Sequence, residues 1–328
     1  MARKKQTSVK SKAQMTEFGI IGNEAAQIRV RQLLSSTKDE KSGHAAIVSG
    51  PSGIGKRSVI ISAMSQILHS DRRVGSHPDV IILTPEPDHQ IIRIDQIRTL
   101  QSRISVRPIA SPTYVIIVDD AGQMTEEANN GLLKLLEEPP APSLFFLLST
   151  NPDALPKTIH SRCEHIRMLP VPTGEIETYL KDQKVSPASA KVLAHVALGC
   201  PGIALSMARD NELLESHKNT ARDITRLMAA PIHERFTVIE SLIPPKTPAA
   251  TAGAILEQWT AIARDMLLLR LGIRDIQHVY IESTLHTLAS AVSTSSLITM
   301  INTLFLSRRR IESNISPRLL FEDLAMCA

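Results

Sequence analysis

Aromatic side chains are scarce in this chain: six Phe, three Tyr and one Trp among 328 residues. A core short of them must be filled by Leu, Ile, Val and Ala. That argues for helical and α/β packing and against a sandwich or barrel of short aromatic-rich strands. Cysteine is scarcer still. Cys163, Cys200 and Cys327 are scattered, form no CxxC pair and are odd in number. A disulfide framework is therefore excluded and a reducing cytoplasm is the expected compartment. No stretch approaches the roughly 18 apolar residues of a membrane span. The opening MARKKQTSVKSK is basic but lacks the apolar segment of a signal peptide. The eleven histidines form no HExxH pattern and no close pairing with cysteine, which removes the usual signatures of a metal hydrolase. Net charge is only +4, a value that permits contact with nucleic acid without demanding it.

What is present suits two or three domains, because the chain is too long for one compact core. Residues 1–15 read as a polar, basic, flexible tail. From about 16 to 168, short apolar runs alternate with helical segments. The runs lie at 45–48, 80–83, 114–118 and 144–148, with a weaker one at 165–168. Continuous apolar runs of this length indicate strands buried on both faces, as in a parallel sheet covered by helices. Helices are expected at 56–68, 94–104 and 125–137, the last with Thr125 as N-cap and Glu126 and Glu127 in its first turn. It stops before Pro139 and Pro140. After Pro170 the strand runs cease. Short helices are expected at 173–184, 187–198 and 201–209, then longer ones to the end, so a small lid at 169–210 precedes an all-α domain at 211–328.

The sharpest local signal is GPSGIGKRS at 50–58, which follows a strand and opens a helix. That is the setting a phosphate-binding loop requires. Gly50, Gly53 and Gly55 let the backbone wrap closely around phosphate oxygens, Lys56 adds a point charge, and the helix dipole reinforces it. The next position normally carries a hydroxyl for Mg²⁺, and here it is Arg57. Ser58 stands one residue late, about 100° around the helix. The loop is expected to hold phosphates, with Arg57 supplying part of the metal's charge, and to position Mg²⁺ poorly. A second signal is YVIIVDDA at 114–121, a buried strand ending in Asp119 and Asp120. Asp119 occupies the place of an acid facing the metal shell. Asp120 is one methylene shorter than the Glu that usually orients an attacking water.

Further motifs follow in order: MTEEANNGLLKLLEEPP at 124–140, LLSTNPDALPKTIHSRC at 147–163, GCPGIAL at 199–205 and NISPRLLFEDLAM at 314–326. In order and spacing they resemble the clamp-loader branch of the AAA+ proteins, which opens and loads ring-shaped sliding clamps on DNA. The resemblance covers nearly the whole chain. It implies a P-loop AAA+ domain, a helical lid and a C-terminal collar domain. It also implies that Arg162, in Ser161-Arg162-Cys163, is an arginine finger reaching a neighbouring subunit's ATP site, and that Thr150 stands at the first sensor. Cys163 reads as a buried packing residue. The second sensor position, an Arg in the ATP-hydrolysing members, is Gly202 here. Their four-cysteine zinc module is missing too, because 56–114 contains no cysteine and so no zinc site.

Arg57, Asp120 and Gly202 together point to weak or absent ATP hydrolysis by the chain itself, with ATP binding left as a weak or vestigial property. The implied partners are gamma/tau-type ATPases and a delta-type subunit in a hetero-oligomer, with the clamp and primed DNA met through the assembly. Two rivals stay open. Lys56 and Asp119 are compatible with a hydrolysing gamma/tau-type subunit, and the P-loop alone with a stand-alone NTPase. The second leaves the helical C-terminal third and the Ser-Arg-Cys triplet without a purpose.

Overall fold

The computed structural model describes residues 20–35, 45–67, 77–86, 90–312 and 316–327. The basic tail expected at 1–15 lies outside them, as do Asn314 and Ile315 of the last motif. One compact unit comprises the residues up to Tyr179 and returns for Gly199–Ile203; the other comprises Leu180–Leu198 and the chain from Ala204 onward. The short helices expected as a lid are thus shared between the two.

In the first unit five strands form one sheet: β1 (Ala45–Ser49), β2 (Val80–Leu83), β3 (Tyr114–Val118), β4 (Ser143–Ser149) and β5 (Glu164–Arg167). All pairings are parallel and the order is β2-β3-β4-β1-β5. Parallel neighbours need crossover connections. Helix α1 (Glu24–Ser35) precedes β1, and the crossovers carry α2 (Lys56–Ile67), α3 (Ile94–Arg103), α4 (Glu126–Glu137) and the single turn α5 (Lys157–His160). Every residue of β3 and β4 is buried, whereas only Ile166 of the edge strand β5 is. The central runs therefore carry no alternation and the edge strand does. Burying each Phe or Leu of β4 contributes about 1.5–3 kcal/mol. Helix α4 starts as its sequence demands: the Thr125 hydroxyl accepts from the Ala128 N–H at 3.2 Å, with Glu126 and Glu127 in the first turn. The loop after α3 is fixed by Asp79. Its buried carboxylate accepts from the N–H groups of Ile109, Ala110 and Ser111 and from the Ser111 hydroxyl, at 2.7–2.9 Å. Burial alone would push this carboxyl up; those hydrogen bonds outweigh it and hold it below its ordinary value.

The second unit is helical. It takes in α6 (Thr173–Asp182) only from Leu180, all of α7 (Pro187–Val196), and α8 (Pro201–Arg209) from Ala204. Then follow α9 (Asn211–Ala229), α10 (Ile232–Leu242), α11 (Ala249–Arg270), α12 (Glu282–Ala291), α13 (Thr294–Glu312) and α14 (Pro317–Cys327). The chain's one Trp, Trp259 on α11, is buried in this core and meets the Phe321 ring at 6.1 Å. Asp265 and His278 are fully buried as a pair. The His278 backbone N–H and the His278 Nδ1 bond the same Asp265 oxygen at 2.9 and 2.8 Å, while Arg264 reaches the other oxygen at 3.0 Å. The His217 ring of α9 stacks on His278 with 5.5 Å between centroids. Among the described residues no single helix is long and apolar enough to cross a membrane.

Candidate functional site

Because the strands are parallel, every loop that leaves a carboxyl end opens on one edge of the sheet, where α/β proteins bind ligands. The loops after β1, β3 and β4 converge there, and β4 lies between the other two. Hydrogen bonds tie the row together: Gly50 N–H to the Ser149 carbonyl at 3.2 Å and Asp119 N–H to the Leu83 carbonyl at 2.8 Å. The sequence-expected Gly50, Gly53, Gly55, Lys56, Arg57, Ser58, Asp119, Asp120 and Thr150 all belong to this edge.

The loop from Gly50 has the backbone of a phosphate cradle. Gly53 and Gly55 adopt φ values of +74° and +101°, which L side chains rarely take. An added Cβ at Gly55 would meet nothing within 4 Å, so the space beside it is open to a ligand atom. Lys56 opens α2 and is buried. Its ammonium donates to the carbonyls of Gly50 at 2.8 Å and Pro51 at 3.0 Å, which leaves the third of its hydrogens for a phosphate oxygen. Burial pulls the Lys56 pKa down, opposed by Asp120, Asp119 and the Cys200 thiol. These residues fit a polyphosphate.

They do not fit its metal. The Arg57 guanidinium lies 3.5 Å from Asp119 Oδ2. The acid that would face Mg²⁺ is already paired with a fixed cation, which stands where a metal-binding hydroxyl is required. Ser58 is exposed one position further round α2. Asp120 is exposed and left-handed at φ +48°, a conformation Asp tolerates better than most residues. Thr150 is exposed directly after β4.

Gly199–Ile203 closes the other side of the loop. The Gly202 N–H donates to the Gly53 carbonyl at 2.8 Å, and a Cβ added at Gly202 would fall 2.7 Å from that same oxygen. A Cβ at Gly53 would meet the Ile203 side chain at 2.6 Å. The two glycines thus permit one close backbone approach. Position 202 is occupied by main chain against main chain, and no side chain reaches a phosphate from it. The buried Cys200 thiol is pushed up by burial, partly offset by Lys56.

Arg162 is elsewhere. It follows α5 and precedes β5, so it lies at the amino ends of the strands, on the edge opposite the P-loop. Five residues of β1 separate the two edges, about 16 Å at 3.3 Å per residue. Its Nη2 pairs with Glu137, the last residue of α4, at 2.6 Å; its Nη1 donates to the Thr158 carbonyl at 3.0 Å and the Ser161 hydroxyl at 3.1 Å. The neighbouring His160 braces this corner with a ring nitrogen 2.9 Å from the Pro152 carbonyl and the other 3.2 Å from His165. Cys163 is buried and inert, its thiol pushed up to about 12 by that burial. The partnership with Glu137 was missed in the sequence, where Glu137 and Glu138 stand side by side and only the end of α4 decides which acid faces Arg162.

A parallel sheet in this order, with a P-loop after the strand β1, an acid pair after β3 and a polar position after β4, defines a P-loop module of the AAA+ kind. A family model described as "DNA polymerase III, delta subunit" matches residues 25–172. DNA polymerase III subunit delta' of Bacillus subtilis is 28% identical over 92% of this chain and 95% of its own length. The delta' subunit of Escherichia coli is 26% identical over 77% and 75%. A solved DNA polymerase III gamma-subunit-related protein of Thermotoga maritima shares the fold, with a TM-score of 0.53, 17% identity and coverage of 93% and 97%. Over most of its length the chain is thus similar to DNA polymerase III delta-prime subunits.

Proposed function

We infer that this clamp-loader subunit works as a stator: it supplies Arg162 to the ATP site of an adjoining subunit and turns over little or no ATP itself. One observation carries the reading. Arg162 stands on the edge of the sheet opposite its own P-loop, so any phosphate it meets belongs to another chain. A guanidinium presented to a transferring phosphoryl group stabilises the charge that develops there. Its own site lacks the two features hydrolysis needs, since Arg57 takes the metal's place beside Asp119 and Gly202 offers only backbone. An ATP-hydrolysing role of the gamma/tau type conflicts with both.

In this reading the helical chain from 211 to 328 joins the corresponding parts of gamma/tau-type and delta-type partners in a collar. The P-loop unit sits at one end of an arc of ATPases. Closure of the adjoining site around ATP then couples nucleotide state to opening of the sliding clamp and grip on primed DNA. The test is steady-state ATP hydrolysis by the reconstituted assembly with clamp and primed DNA. Arg162→Ala is expected to slow the adjoining site about 10³-fold or more, as removal of an arginine finger does. An assembly indifferent to Arg162→Ala, together with turnover by the isolated chain, would overturn the stator reading.

A further inference from the structure

We propose that the Arg57 guanidinium is a built-in replacement for Mg²⁺, so that the P-loop of this chain takes a nucleoside polyphosphate without its metal. The inference stands apart from the Arg162 reading. It rests on the carboxyl edge alone, where cradle and metal position disagree: the loop is formed and the metal's place is filled.

Three observations fix the chemistry of the ligand. The open space beside Gly55 and the third hydrogen of the Lys56 ammonium suit phosphate oxygens. Arg57 spends one contact, at 3.5 Å, on Asp119 and is nearly half exposed. A guanidinium carries five N–H donors in a planar fork that matches phosphate geometry, so those not facing Asp119 remain for an oxygen of the same phosphate chain. Lys56 and Arg57 balance Asp119 and Asp120 before any metal arrives. A divalent ion would have to displace a covalently tethered cation to reach Asp119. Gly202 adds no second cation for a terminal phosphate, so a diphosphate binds about as tightly as a triphosphate.

Calorimetric titration of the full chain with ADP and ATP, each in EDTA and in excess Mg²⁺, tests the proposal. Wild-type affinity is expected to change by less than about threefold between the two conditions and between the two nucleotides. Lys56→Ala should abolish the signal, which locates binding at the loop. Arg57→Thr should bind about tenfold more weakly in EDTA, the worth of one charge-assisted hydrogen bond, and regain that factor in Mg²⁺. Arg57→Lys keeps a tethered cation and should stay indifferent to Mg²⁺, which guards against a mere folding defect in the threonine variant. A wild-type affinity that rises tenfold with Mg²⁺, or absence of nucleotide binding in both conditions, would overturn the proposal. Neither result bears on Arg162, whose effect is read in the adjoining subunit's hydrolysis.

Discussion

Arg57 and Arg162 each face a carboxylate of their own chain, from opposite edges of one sheet. Arg57 makes a single long contact, 3.5 Å to Asp119, beside a loop whose glycines leave room for phosphate. Arg162 is held by three acceptors, Glu137 at 2.6 Å, the Thr158 carbonyl at 3.0 Å and the Ser161 hydroxyl at 3.1 Å. The first side chain is loosely held and has donors to spare over its own site. The second is held by its partners on the edge of the sheet away from the P-loop. On the proposed readings the same residue type completes a site in one place and is presented outward in the other, according to the edge of the sheet on which it stands.

The largest effect that could break this contrast is on Arg162. Beyond the Arg162→Ala loss, Arg162→Lys should recover little of the adjoining subunit's hydrolysis, because an ammonium lacks the planar fork. Arg57→Ala in the same reconstituted assembly should leave that hydrolysis within a few-fold. Equal losses from the two alanine variants would erase the distinction.

Much of this was legible beforehand. The runs at 80–83 and 114–118 are β2 and β3 to the residue, and the helix expected at 201–209 is α8. β1 and β4 run further than their apolar cores because backbone pairing continues through Ser49, Ser143 and Ser149; hydropathy does not register main-chain hydrogen bonds. The P-loop and the acid pair were visible as strings because the chemistry there is local. Gly202 was read only as a missing charge, whereas the fold shows a contact that excludes any side chain. The Asp265–His278–His217 cluster was invisible, since its members are brought together only by the packing of α9 and α11 with the loop before α12.

That contact gives the next effect. Gly202→Ala places a methyl 2.7 Å from the Gly53 carbonyl, and overpacking of this kind costs about 1–3 kcal/mol. Chemical denaturation should show the loss directly. For the same reason Gly202→Arg should not turn the chain into an ATPase, even though it supplies the Arg that the resemblance implies for ATP-hydrolysing members. Wild-type stability in Gly202→Ala would mean that the loop and its cover move apart freely, and that the P-loop edge is less fixed than its distances indicate.

Acid acts on the second unit instead. Burial, with His278 nearby, pulls the His217 pKa from 6.5 to about 4. The unfolded chain then binds a proton between those values that the folded chain refuses. Stability is full above about pH 6.5 and falls as pH drops toward 4, by about 1–2 kcal/mol at pH 5. Stability curves from pH 7.5 to 4.5 should be visibly flatter in His217→Gln. An unchanged slope would place the acid sensitivity in another group.

The smallest effect tests the corner that holds Arg162. A half-exposed ion pair is worth about 0.2–1 kcal/mol, so Glu137→Gln should slow the adjoining site at most about fivefold. The sign is informative. If Glu137 orients the guanidinium, its loss lowers the turnover number and leaves the KM for ATP unchanged, because the substrate is held by the other subunit. If Glu137 restrains the arginine from reaching across, the same change raises the rate. Orientation is the expected role, since the Thr158 and Ser161 contacts aim the Nη1 end independently and removing the acid frees only Nη2. Combining Glu137→Gln with Arg162→Ala decides whether the acid acts through the arginine at all. In the double variant the glutamine should add nothing to the alanine's loss, and a further fivefold drop would show that Glu137 serves the assembly by another route.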